Sequence, residues 1–161
     1  QAVTLHTTLG DLKLELACAQ VPKQCENFLA LCACGAYDNT VFHRNIRGFI
    51  VQGGDPTGSG KGGESVWGGT LPDAFHPELR HDRRGVVSMA TSKPDTIGSQ
   101  FFITYARQNH LNNVNTVIGH VIDGMPVLDA MEAMPVTGKK YRPTTDIKVL
   151  GVTIHANPLA K

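Results

Sequence analysis

Between Val41 and Ile122 every apolar segment is short. Val41-Phe42, Phe49-Ile50-Val51, Val86-Val87-Ser88-Met89, Phe101-Phe102-Ile103 and Val117-Ile118 are split by glycine and proline. Those two residues break helices and strand ladders alike, so this central stretch can form only short strands joined by long loops. Regular strand–helix alternation is missing, which argues against a parallel, doubly wound sheet.

The flanks carry clearer periods. Val3-Thr4-Leu5-His6 and Leu12-Lys13-Leu14-Glu15-Leu16 alternate apolar with polar residues around the turn cluster Thr8-Leu9-Gly10-Asp11, which predicts a hairpin. Pro22 suits a first helical turn, and apolar residues recur at Val21, Cys25, Phe28, Leu29 and Cys32 until Gly35, an amphipathic helix with one buried face. A second helical stretch from Pro126 to Met134 places Val127, Leu128, Met131 and Met134 on one side, with Pro135 ending it. It would cap the core rather than cross it. The last segment alternates at Ile147 and Val149, shifts phase at Leu150-Gly151 and resumes at Val152 and Ile154, as a bulged strand does. Many short strands with two separated helices favour a mostly β, closed sheet. The 161 residues suffice for one domain, 1–161, that removes roughly 70% of its unfolded surface from water. Apolar residues at 41% and charged residues at 18% are ordinary globular composition.

Net charge is +1 and no Lys/Arg run exceeds the pairs Arg83-Arg84 and Lys139-Lys140, so direct binding of nucleic acid or an anionic membrane is not expected. No 18-residue apolar run occurs, and the start Gln1-Ala2-Val3-Thr4-Leu5-His6 lacks a leader pattern; a cytosolic or nuclear protein is expected. Cys18, Cys25, Cys32 and Cys34 are crowded together. Cys25 and Cys32 share the apolar helix face, which predicts buried thiols. Cys32-Ala33-Cys34 lacks the spacer of a zinc half-site, so no metal and no cofactor are expected.

Two familiar chemistries fail on spacing. The stretch Gly53 to Gly63 invites a phosphate loop, but counting back from Gly60-Lys61 puts Asp55 where the first glycine belongs and Gly62 where the Ser/Thr belongs. A carboxylate inside a phosphate cradle is repulsive. Gly98-Ser99-Gln100 is followed by Phe101, so there is no nucleophile elbow either. His76, His81, His120 and His155 take the default reading of hydrogen-bonded surface or core residues. Arg44, Gln52, Gln100, Phe49 and Phe102 remain, a set without a nucleophile that suits binding more than bond cleavage.

Phe42-His43-Arg44-Asn45-Ile46-Arg47-Gly48-Phe49-Ile50-Val51-Gln52-Gly53-Gly54-Asp55 resembles the signature of the cyclophilin-type peptidyl-prolyl cis/trans isomerases. Gly62-Gly63-Glu64-Ser65-Val66-Trp67-Gly68, Arg84 to Ala90 and Gly98 to Thr104 resemble further segments of that family in the same order. The likeness runs from Val3 to His155, and the terse start and the end Thr153-Ile154-His155-Ala156-Asn157-Pro158 are similar to the short, single-domain cyclophilin J type. It implies a closed eight-stranded antiparallel β-barrel capped by two α-helices. It also implies a monomer acting on proline-containing peptides and proteins, with partners among spliceosomal proteins.

By the same resemblance Arg44 is the principal catalytic residue, Gln52 holds it in place, Gln100 bonds the substrate backbone, and Phe49 belongs to the catalytic set. Phe49, Ile50, Phe102 and Leu111 grip the proline ring, with Phe101 facing the core instead. Ala90, Thr91 and Ser92 lie along the groove, and Gly60 leaves room at its edge. Four positions depart from the best-known members. Ile50 replaces a methionine and Thr91 an asparagine. His110 stands where many members carry the tryptophan that donates a hydrogen bond to cyclosporin, and Asn115 replaces a histidine lining the proline pocket. Reduced affinity for cyclosporin A follows from His110. The alternative to an active isomerase is a proline-binding scaffold module with weak catalysis.

Overall fold

The computed structural model describes residues 1–155, so the likeness at Ala156-Asn157-Pro158 lies outside the described residues. The predicted hairpin is β1 (Ala2–Thr7) paired with β2 (Gly10–Leu16), with Val3 opposite Leu14 and Leu5 opposite Leu12. All four of those side chains are buried. Period-2 patterning thus sends one face of the ribbon into the core. Helix α1 (Pro22–Ala33) follows, starting on Pro22 and buried through Cys25, Phe28, Leu31 and Cys32.

Short strands come next: β3 (Thr40–Val41), β4 (Arg44–Ile46), β5 (Ile50–Gly53), β6 (Val86–Met89), β7 (Phe101–Thr104) and β8 (Val117–Asp123). Helix α2 (Met125–Ala133), a small ribbon of β9 (Val136–Thr137) and β10 (Arg142–Pro143), and β11 (Lys148–His155) complete the fold. The predicted bulge is present, because the β1–β11 register jumps from His6–Gly151 to Thr7–Val149 and leaves Leu150 unpaired.

The main sheet is antiparallel, in the order β3-β11-β1-β2-β8-β6-β7-β5-β4. Its two end strands, β3 and β4, are separated only by Phe42 and His43. The sheet must therefore curl until its ends meet, which is the expected barrel. Counting Thr40–Ile46 as one interrupted strand turns the nine hydrogen-bonded strands into the eight expected. Closure needs a close approach at Gly53, where a Cβ would sit 2.9 Å from Phe42 Cδ1 and 3.0 Å from Val41 O. Phe101 anchors the interior beneath α1, with ring centroids 5.4 Å from Phe28, 5.3 Å from Tyr37 and 6.0 Å from Phe42. Helix α2 buries Leu128 and Met131 against β2 and β4, capping the core as its sequence implies.

One expectation is corrected. Cys25 is fully buried, but as half of a disulfide with Cys18 rather than as a free thiol. The reversal between β2 and α1 lays residue 18 beside the first turn of the helix, a juxtaposition that the helical period alone does not reveal. Cys32 is a buried free thiol, and burial, with Cys34 and Asp38 adding to it, pushes its pKa up to about 12.

Candidate active site

Strand register builds the site. Arg44 opposes Gln52, Gln52 opposes Phe102, and Phe102 opposes Ser88. Directly opposed residues of antiparallel strands point to the same face, so one row of side chains crosses four strands. The alternate row, Gly53, Phe101 and Met89, faces inward. This is why Phe101 joins the aromatic core and its neighbour Phe102 does not.

Along that row a hydrogen-bonded chain forms. Arg44 Nη1 donates to Gln52 Oε1 at 3.4 Å, Gln52 Nε2 donates to Gln100 Oε1 at 2.9 Å, and Gln100 Nε2 donates to the Gly62 carbonyl at 2.9 Å. No carboxylate lies within 4.0 Å of Arg44 among the described residues. Its charge is therefore oriented by an amide rather than neutralised. The guanidinium carbon lies 6.0 Å from the Phe49 ring centroid, and that ring stacks on His110 at 5.8 Å. Arg44, Phe49 and His110 thus form one stack at the surface.

Ile50 and Phe102 are each 3% exposed, whereas Leu111 and Asn115 are half-buried. Asn115 Nδ2 donates to the Met89 carbonyl at 3.1 Å, so its amide is tied to the strand beneath it. Ala90, Thr91 and Ser92, with Gly60, Gln52 and Gln100, line a groove of about 530 Å³. At Gly60, φ is +87° and a Cβ would stand 3.2 Å from the ring of His43, so glycine there accommodates the histidine as well as the turn.

Residues outside the predicted set organise the site. Asp55 is fully buried and accepts from Thr57 N–H (2.9 Å), Thr57 Oγ1 (2.8 Å), Ser59 Oγ (3.4 Å), Gly60 N–H (2.7 Å) and Gly62 N–H (3.0 Å). The glycine loop is an anion cradle after all, wrapped around its own carboxylate. Burial alone would raise the Asp55 pKa, but the bonds from Gly62, Thr57 and Gly60 outweigh it and hold the carboxyl down at about 2. Asn27, buried on α1, donates to the Gly98 carbonyl (3.1 Å) and accepts from Val66 N–H (2.7 Å), fastening both groove loops to the helix. His81 is buried, stacks on Phe102 at 6.0 Å and bonds both Asn112 Oδ1 and Ser88 Oγ at 3.0 Å. The default reading of His81 as a satisfied core residue fits that geometry.

The family model described as cyclophilin type peptidyl-prolyl cis-trans isomerase/CLD matches residues 2–154. The chain belongs to this family of isomerases. This cyclophilin is 58% identical over 159 residues to peptidyl-prolyl cis-trans isomerase-like 3 of Gallus gallus, with 99% of each chain covered. It is 56% identical over 160 residues to the protein of the same name from Homo sapiens, again with 99% of each covered. A cyclophilin type peptidyl-prolyl cis-trans isomerase from Cryptosporidium parvum, crystallised in the presence of the dipeptide Ala-Pro, superposes with a TM-score of 0.93 at 52% identity. That match covers 98% of this cyclophilin and 100% of the other chain. Among the described residues of this isomerase, no three His, Cys, Asp or Glu side chains stand together as a metal site, and no helix is long and apolar enough to cross a membrane.

Proposed function

We propose that this isomerase, a single domain acting as a monomer, turns over X–Pro bonds of peptides and proteins in the groove built on Arg44, Gln52, Phe49 and Gln100. Rotation about such a bond is opposed by amide resonance worth ~18–20 kcal/mol, while the two planar forms differ by only about 1 kcal/mol. A catalyst therefore has to bind the twisted amide better than either planar form, and it needs no nucleophile. The observation that carries this reading is the chain from Arg44 through Gln52 and Gln100 to Gly62 O, which holds a permanent cation in one orientation, with no counter-ion among the described residues.

Arg44 donates to the prolyl carbonyl and to the proline nitrogen, whose lone pair is released as the amide twists. Phe49, Ile50, Phe102 and Leu111 enclose the proline ring. Gln100 and the backbone at Ala90, Thr91 and Ser92 align the residues before it, and Gly60 keeps the groove edge open. A protease-coupled assay on an Ala-Pro peptide should show cis-to-trans conversion faster than in buffer; no excess rate would contradict the assignment. Uncatalysed isomerisation takes tens of seconds, so even modest acceleration is measurable.

Cyclosporin A binds more weakly here than in members with tryptophan in place of His110, because the imidazole changes both shape and donor position. His110→Trp is expected to tighten cyclosporin binding by up to about tenfold, one good hydrogen bond, when measured by calorimetry. Unchanged affinity would count against this. In the same reading, the resemblance to the cyclophilin J type implies clients among splicing proteins, in the nucleus or cytosol. Immobilised protein should then enrich splicing proteins from nuclear extract, and the Arg44→Ala form should enrich fewer. Recovery of none would remove this part of the proposal.

A further inference from the structure

A second cavity, of about 330 Å³, adjoins the groove and shares Gln52, Gly60 and Lys61 with it. Arg44, Lys61, Lys139 and Lys140 line it, with no carboxylate among its lining residues. Among the described residues none of these four cations has an acidic oxygen within 4.0 Å. The nearby acid, Asp55, is buried and already occupied by the loop donors described above.

The lysines are held here by construction. They sit at the tip of the β9–β10 ribbon, which is pinned at two points: Asn45 N–H donates to the Tyr141 carbonyl at 2.9 Å, and Arg142 Nη1 donates to the Gly58 carbonyl at 2.8 Å. Asn45 directly follows Arg44, so the pin sets Lys139 and Lys140 beside the Arg44 side of the groove. His43, 8% exposed, lines the same cavity, and its Nδ1 has no hydrogen-bond partner. Burial, opposed by Asp55 and reinforced by Arg142 and Arg44, keeps that imidazole below the usual histidine range.

We propose that this cavity is a subsite for an anionic side chain of the substrate, a carboxylate or a phosphate monoester, carried on the residues that follow the proline. The placement rests on the reading above that Arg44 takes the prolyl carbonyl, since the peptide leaves the proline from that carbonyl and the cavity opens on the Arg44 side. Unpaired cations gathered in one recess repel each other, and an anion relieves that repulsion while satisfying several donors at once. Contacts to Lys61, Lys139 and Lys140, remote from the twisting bond, are made equally in ground and transition states, so they lower KM and leave kcat unchanged.

The test compares Ala-Pro peptides carrying Ala, Asp or phosphoserine two residues after the proline, plus one carrying phosphoserine before it. Dissociation constants from NMR titration and KM from turnover are measured for the wild type and for the Lys139→Gln, Lys140→Gln double variant. Asp is expected to tighten binding about three- to tenfold over Ala, and phosphoserine about tenfold or more, at low salt. The advantage shrinks near 1 M salt, where charges are screened within ~3 Å. The double variant should lose most of the Asp-to-Ala ratio, a comparison internal to each protein. Equal affinity for the three C-terminally varied peptides, a preference that survives the double variant, or a larger effect of phosphoserine before the proline would overturn the proposal. So would a mixed single-stranded oligonucleotide that binds more tightly than the phosphopeptide through the same lysines. Titration reads the ratio whether or not peptides are turned over, so absent catalysis would count against the isomerase groove, and an absent ratio against this subsite.

Discussion

Arg44→Ala is expected to lower kcat/KM on an Ala-Pro peptide by about 100- to 1,000-fold, the loss typical of removing one preorganised donor from a developing charge. Arg44 is half-buried and has no acidic partner within 4.0 Å among the described residues, so its removal leaves no buried charge stranded. Gln52 remains bonded to Gln100, and Gln100 to Gly62 O, so the groove floor keeps its shape. The loss should therefore fall on turnover rather than folding, with far-ultraviolet circular dichroism unchanged. Arg44→Lys should not restore the rate, because an ammonium lacks the planar fork that serves Gln52 and the amide together. A variant retaining a tenth of wild-type activity would mean that the charge of Arg44 is not the main source of catalysis.

Asp55→Asn is the second large effect, and here stability and activity fall together. One carboxylate oxygen accepts from Gly60 N–H, Gly62 N–H and Ser59 Oγ, the other from Thr57 N–H and Oγ1. An amide can present an oxygen to only one of these sets and turns an NH₂ toward the other. Leaving buried donors unpaired costs about 1–3 kcal/mol each, so a total near ~3 kcal/mol is expected. For a chain of this size that lowers Tm by about 6–12 °C. Gly62, which anchors Gln100, loses its own anchor, and kcat/KM should fall about tenfold through the Gln52 chain.

The effect of acid has a definite sign. The folded pKa of Asp55, about 2, lies below the ordinary aspartate value of 3.8, so its contribution is complete above the higher value and disappears as pH falls through the lower. The Tm gap between wild type and Asp55→Asn should therefore be full at neutral pH and narrow toward pH 2. A gap independent of pH would show that the charge of Asp55 is not what holds the loop.

The sequence made some of this architecture legible and hid the rest for identifiable reasons. The β1–β2 hairpin, α1, α2 and the Leu150 bulge could be read because each keeps a period of 2 or 3.6 over enough residues, or breaks it once. Closure of the barrel could not, because Thr40–Ile46 pairs with β11 at one end and β5 at the other, and no local pattern records two partners. Gly53 was visible only as part of a glycine run, although its place against Phe42 is what lets the ends meet. The carboxylate of Asp55 argues against a phosphate in this loop, yet spacing does not show that the loop amides close on that same carboxylate. The Cys18–Cys25 pairing leaves no mark on the helical period, because that period compares residues within α1 and Cys18 lies before it. At the site, the family motif supplied Arg44, Gln52, Gln100 and Phe102. Strand register explains why they share a face, and the order of their hydrogen bonds required the folded chain.

The central claim is that an oriented Arg44 speeds rotation of a bound prolyl amide, and exchange NMR at matched occupancy tests it most directly. An Ala-Pro peptide would be held at equal fractional saturation on wild type and Arg44→Ala, and cis–trans exchange measured in each. Both proteins are expected to shift the peptide resonances, with rapid exchange on the wild type and near-uncatalysed exchange on the variant. Equal exchange rates on the two proteins at equal occupancy would contradict the account.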